Sequence, residues 1–267
     1  MVSTASIVCI AISCVLGFAI PIALLLYFLL VKKADIIPYF IGCAVMVLFA
    51  FVLESLMHHA IIDYSPLGEI IQDNIWLFAI YGGLAAGIFE ETGRFIAFKT
   101  VLKKYQSKDI NALMYGAGHG GIECIMLLGI TMINNIIYVV MINAGQFDTL
   151  VSQTAAVSPD AVSQLMDVKE QLVTASPLLF LAGPIERCSA ITIQLSLSVM
   201  VWFAAKNKKT IWMYPLAIIF HAFVDGVTAL LSKNGMSTAV VEILIFVCAV
   251  IYAIVAYRIY KSQTIEE

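Results

Sequence analysis

Charge is scarce in this sequence. Asp, Glu, Lys and Arg supply 12% of its 267 residues and apolar residues 61%, with a mean hydropathy of +0.96; an ordinary soluble domain carries about twice that charged share. Such a chain cannot clothe a soluble globule, so an all-α, polytopic transmembrane helix bundle, multi-pass in the cell membrane, is expected. The net charge of −3 names no partner beyond the lipid bilayer, and no nucleic acid is expected.

Other absences narrow the class. The N-terminus has no basic stretch and its first apolar run is too long for a signal peptide, so no cleaved leader is expected. The six cysteines (Cys9, Cys14, Cys43, Cys124, Cys188 and Cys248) all fall within apolar runs, so none is placed for an extracellular disulfide framework and buried packing is their expected role. The motif H-E-x-x-H is missing, which excludes an ordinary zincin. No repeat, low-complexity stretch or composition shift marks a second domain, and one integral membrane domain over 1–267 is expected.

What is present is a series of apolar runs, each long enough to cross a hydrocarbon core of about 30 Å. Seven are expected, near 5–31, 36–58, 76–102, 110–143, 177–205, 211–232 and 238–260, the fourth leaving the lipid core near Asn134 and Asn135. Basic residues collect in alternate links: Lys32 and Lys33, then Lys103, Lys104 and Lys108, then Lys206, Lys208 and Lys209, with Arg258 and Lys261 closing the last run. By the positive-inside rule the N-terminus faces out and the C-terminus the cytoplasm. The longest polar segment, about 145–176, carries Asp148, Asp160, Asp167 and Glu170; Val162, Leu165, Met166, Val168 and Leu172 give it either a short amphipathic helix or a plain connecting loop.

Against this background the remaining charges stand out. The third run holds Glu90, Glu91 and Arg94 in "GIFEETGRF", the fourth His119 and Glu123 in "YGAGHGGIE", the fifth Glu186 and Arg187 in "GPIERCSA", and the sixth His221 and Asp225 in "FHAFVD". An ionised side chain at the middle of a spanning helix costs roughly 2.5–3.5 kcal/mol, so such residues are expected to serve a function. Glu90 with Arg94, His119 with Glu123 and His221 with Asp225 are each four apart and share a helix face. Self-neutralising pairs that merely orient helices would look the same taken singly. Depth separates the readings: Glu90, His119 and His221 lie roughly 14, 16 and 18 Å along their helices from the lysine-rich ends, a common level that isolated pairs would not need.

Small residues accompany the charges. Gly83 with Gly87 and Gly116 with Gly120 form G-x-x-x-G faces, through which the third and fourth helices are expected to press together. The "GAGHGG" run looks like a phosphate loop but follows no strand and lacks the Lys-Ser/Thr that would make it one. Pro184 and Pro215 precede the polar groups of their helices, where a kink frees carbonyls. His58 and His59 read as interfacial and Glu54 and Glu242 as structural. In a wet pocket, a carboxylate beside a neutral imidazole can take a proton from water, and a second His with a carboxylate can stabilise an oxyanion or complete a zinc site.

The order "EETGR", "YGAGH", "FHAFVD" resembles the three motifs EExxxR, FxxxH and HxxxN/D of the CAAX protease and bacteriocin-processing superfamily, and with "HGGIE" and "PIERCSA" it is most similar to the YhfC-like branch of intramembrane metalloproteases. Arg94 comes one residue sooner than in that pattern, and Tyr115 replaces its Phe. The resemblance implies Glu90 as base, Glu91 and Arg94 as its supports, His119 as partner in water activation and His221 with Asp225 as the oxyanion or metal-binding pair. It further implies Glu90, His119, His221 and Asp225 as the set for a divalent metal such as zinc, while Glu123, Glu186 and Arg187 read as structural. The expected function is an intramembrane peptidase acting on a peptide or membrane-protein substrate. A proton- or ion-coupled transporter, or a non-catalytic interaction or immunity factor on the same fold, remains open on sequence alone.

Overall fold

The computed structural model describes residues 1–159 and 161–264, with Ile265 in backbone alone; Asp160, counted among the acids of the polar segment, lies outside them. Every regular element among the described residues is helical. In chain order, α1 (Thr4–Val31) and α2 (Ile37–Asp63) lead to α3 (Ile75–Lys99) and α4 (Ile110–Asn143). Helices α5 (Phe147–Val157) and α6 (Ala161–Thr174) occupy the polar segment, α7 (Pro177–Lys206), α8 (Lys208–Lys233) and α9 (Thr238–Thr264) are the remaining long helices, and a short helix over Leu67–Asp73 links α2 to α3.

Six of α1–α9, all but α3, α5 and α6, are long and apolar enough to cross a membrane, as befits a multi-pass membrane protein. The remaining expected span is α3, whose 25 residues give ample length but whose Glu90, Glu91, Arg94 and Lys99 keep it out of the apolar set. Helix α4 continues past Asn134 and Asn135 to Asn143. Two amides on a helix leave its backbone hydrogen bonds intact.

Contacts divide the chain into two compact units, Met1–Ile20 with Cys124–Arg187, and Pro21–Glu123 with the chain from Cys188 onward. In the first, Val2, Ile10, Val139 and Leu172 form the core, and Ser13 Oγ donates to the Phe180 carbonyl at 2.6 Å. The polar segment is helical there, and α6 turns Leu172 inward while Met166 stays exposed.

In the second unit Phe98, Tyr115, Leu197 and Trp202 are fully buried. Indoles bury well only when the N–H finds an acceptor, and Trp202 Nε1 donates to Asp109 Oδ1 at 2.7 Å. Lys206 Nζ meets the same oxygen at 3.1 Å, and Lys108 Nζ meets Asp35 Oδ1 at 2.7 Å. The lysine-bearing links after α1, α3 and α7 therefore gather at one end of this unit. At the other end Lys233 Nζ donates to the Gln72 carbonyl at 2.5 Å.

Two expectations need correction. The glycine faces do not join α3 to α4: a Cβ on Gly83 would stand 2.3 Å from the Ala222 carbonyl oxygen, and one on Gly116 2.9 Å from Leu195 Cα. Thus α3 seats on α8, where Ala222 and Gly226 are also small, and α4 seats on α7. The cysteines are not uniformly buried, since Cys188 is exposed while Cys124 and Cys248 are buried; burial follows helix face, which apolar composition does not reveal.

Candidate functional site

Backbone approach builds the site. A Cβ on Gly87 would lie 2.7 Å from the Ile218 carbonyl oxygen, so α3 and α8 all but touch just before Glu90 and His221. On another side of the unit a Cβ on Gly42 would lie 2.3 Å from the Tyr115 carbonyl oxygen and 2.9 Å from the His119 nitrogen, which brings α2 against α4 at the imidazole. Only glycine permits both approaches. The asparagine at the start of α3, Asn74, caps it by accepting from the Trp76 and Leu77 nitrogens.

Glu90, Glu91, Arg94, His119, His221 and Asp225 are brought together. His119 Nε2 lies 2.9 Å from Glu90 Oε2, and His221 Nδ1 lies 2.7 Å from Glu91 Oε1. His221 Nε2 faces two further carboxylates, Asp225 Oδ2 at 3.4 Å and Glu90 Oε2 at 3.8 Å. Glu91, Arg94 and His119 are fully buried and Glu90 and His221 nearly so, whereas the Asp225 side chain is 43% exposed. Unpaired, each buried charge would be strongly disfavoured.

The pairing crosses helices more than the four-residue spacing suggests. Arg94 Nη1 stands 3.3 Å from Glu91 Oε2, three residues back, and its other Nη donates to the Gln194 side-chain oxygen on α7. The Gln194 amide nitrogen donates in turn to Glu90 Oε2 at 3.0 Å and Glu123 Oε2 at 3.1 Å. One amide on α7 thus ties an arginine and a carboxylate of α3 to a carboxylate of α4. Glu186 and Arg187 pair with each other in the first unit.

Sequence reasoning missed two residues. Gln194 carries no charge and sits in the weakly polar run "ITIQLSLS", so only its being a lone large amide there gave a signal. Glu54, read above as structural, is 9% exposed on α2 and close enough to Glu90, His221 and Asp225 for their charges to act on it. Its signal was the same four-residue step to a histidine, His58, that marks the other pairs.

A divalent metal can be tested against this donor set. The carboxylate of Glu91 fixes a proton on His221 Nδ1, so His221 Nε2 and two carboxylate oxygens meet without a donor among them unless a proton or a metal cation lies between. His119 Nδ1 is likewise buried with no hydrogen-bond partner among the described residues. Imidazoles and carboxylates are zinc ligands. Among the described residues no three His, Cys, Asp or Glu side chains are already splayed around one point, because these groups hydrogen-bond to one another. The donor chemistry fits a metal; the side chains would have to turn outward from their mutual bonds to bind it.

Fold and site together define a helical, multi-pass membrane protein with a buried carboxylate–imidazole centre. Residues 16–246 match the family described as YhfC intramembrane metalloprotease, and the chain belongs to that family. It is 34% identical over 268 residues, 99% of either chain, to a Bacillus subtilis (strain 168) protein described as uncharacterized membrane protein YhfC. No solved structure matches it.

Proposed function

We propose that this protein is an intramembrane peptidase that hydrolyses a peptide bond with water activated at Glu90, in a fold whose seven long helices, α3 included, cross the bilayer with the lysine-rich end cytoplasmic. The observation that carries the reading is the Glu90–His119 contact at 2.9 Å, buried where α3, α4, α7 and α8 meet. His119 and Gln194 hold Glu90 Oε2 in place. Glu90 takes a proton from water as the oxygen attacks the carbonyl carbon, and returns it to the leaving amine as the C–N bond breaks. Glu91 orients His221 through Nδ1, and with a second proton on Nε2 the ring donates to the carbonyl oxygen as it gains charge. Arg94 balances Glu91 and takes no direct part. Glu90, His119, His221 and Asp225 would hold a divalent metal, which when bound supplies Lewis-acid polarisation of water or carbonyl.

The test is cleavage of transmembrane and soluble peptides by purified protein in detergent or liposomes. Glu90→Gln and His119→Ala should each lower turnover by about 10²–10⁴-fold while the folded protein stays in the membrane. Turnover kept in Glu90→Gln and lost in Glu91→Gln moves the base by one residue; turnover kept in both ends the peptidase reading. Loss with chelator and recovery with zinc would assign the metal-assisted form, and indifference to chelator together with metal-free purified protein the metal-independent one.

A further inference from the structure

Glu54 and His58 of α2 have no part in that chemistry, yet they lead to it. His58 Nε2 is 3.2 Å from Glu54 Oε1 and His58 Nδ1 is 2.8 Å from the Tyr81 hydroxyl on α3, while Glu54 lies near enough to Glu90, His221 and Asp225 for their charges to act on it. Side-chain exposure falls inward along this line, from 36% at His58 to 12% at Glu54, 8% at Glu90 and 0% at Glu91. It falls likewise on α8, from 43% at Asp225 to 5% at His221. At 1.5 Å per residue, counted from Asp63 on α2, Ile75 on α3 and Lys233 on α8, His58 and Tyr81 lie ~8–9 Å along their helices, Glu54 and Asp225 ~12–14 Å, His221 ~18 Å and Glu90 ~22 Å. Those ends adjoin, since Lys233 at the end of α8 reaches Gln72 and covers the Phe78 ring. The polar groups descend in steps from one end of the unit.

The two flanks of the α3–α8 contact differ. One is a groove lined by Trp76, Ile80, Leu84, Phe223, Val227 and Leu230, a face suited to lipid. At 100° per residue His221, Asp225 and Thr228 turn to the other flank, toward α2. An exposed carboxylate there is strongly disfavoured in hydrocarbon. Thr228 Oγ1 is buried with no hydrogen-bond partner among the described residues, a group that an ordered water would satisfy.

We propose that Glu54, His58, Tyr81 and Asp225 line a water-filled cleft that opens at the 64–74 end of the second unit and supplies water to Glu90. The cleft itself is inferred from geometry and exposure, and the use of its water at Glu90 rests on the peptidase reading.

Single cysteines in the full chain, with its native cysteines replaced by alanine, test it in sealed vesicles with a charged, membrane-impermeant methanethiosulfonate. Glu54→Cys, His58→Cys and Asp225→Cys should react at least tenfold faster than Leu53→Cys, Leu56→Cys and Phe223→Cys, apolar residues that are 37%, 60% and 52% exposed and that, on this proposal, face lipid. Reaction should come from the side that labels a cysteine at Asn234. Equal rates in the two sets, or slow reaction at 54, 58 and 225 alike, overturns the cleft; reaction only from the side of Lys108 overturns the position of its mouth. Tyr81→Cys carries the same expectation on a third helix, so failure of any one variant to fold leaves the outcome readable. No turnover is measured, so failure here and failure of the peptidase reading are separate results.

Discussion

Arg94 and Arg187 both stand beside glutamates in long helices, yet they are held in different ways. Arg187 is paired with its sequence neighbour Glu186, with 13% and 19% of the two side chains exposed. Arg94 and Glu91 are wholly buried, and they are joined through Gln194 to Glu90 and Glu123 and through His221 to α8. Glu186 and Arg187 neutralise each other within a single helix. A pair shared among α3, α4, α7 and α8 fixes how those helices sit, because moving any one strands a charge in another.

The largest effect should follow from breaking the shared pair. Glu91→Ala leaves Arg94 buried without its carboxylate, at a cost of about 3–5 kcal/mol, and should lower the yield and melting temperature of detergent-purified protein. Adding Arg94→Met should recover much of that loss, since an apolar side chain of similar volume needs no partner. Activity should stay absent in the double variant because His221 has lost the group that orients it. A single variant as stable as wild type would erase the distinction between the two arginines.

A smaller loss should follow Glu186→Ala. Arg187 is then deprived of its adjacent carboxylate but keeps some access to solvent, so about 1–3 kcal/mol is expected, with hydrolysis per folded molecule unchanged. A loss as large as that of Glu91→Ala would mean that Glu186 also belongs to a wider network. Inactive but fully stable protein would give Glu186 a part in the chemistry in place of the scaffold.

The same comparison explains what could be read in advance. Helix content, six of the seven expected spans and the convergence of Glu90, His119, His221 and Asp225 were legible because period, length and depth are properties of one helix at a time. Partner choice was not: Arg94 sits within reach of both Glu90 and Glu91 by spacing, and only the position of Gln194 on α7 sets its bonds. The glycine faces misled for the same reason, since Gly83 and Gly87 announce a close neighbour without naming α8. Glu54, read as structural, lies near enough to Glu90, His221 and Asp225 for their charges to act on it, a proximity that depends on α2 packing on α3 and not on α2 alone.

The smallest effect belongs to a third arrangement, outside the spans. Asp35, between α1 and α2, accepts from Lys108 Nζ at 2.7 Å and from Asn111 Nδ2 at 2.9 Å, with its own side chain 32% and that of Lys108 49% exposed. The lysine hydrogen bond, and after it the one from Asn111, hold its carboxyl below its ordinary value. A depressed carboxyl stabilises the fold in full wherever it is ionised in both states, above its unfolded value, and that contribution is lost as pH falls through the folded value. Water screens so open a bridge, so Asp35→Asn should cost no more than about 1 kcal/mol. The difference in melting temperature between wild type and variant should be constant through the neutral range, shrink only in acid, and be smaller in high salt. A difference that instead grew as pH fell would reverse the sign of the shift and detach Asp35 from Lys108.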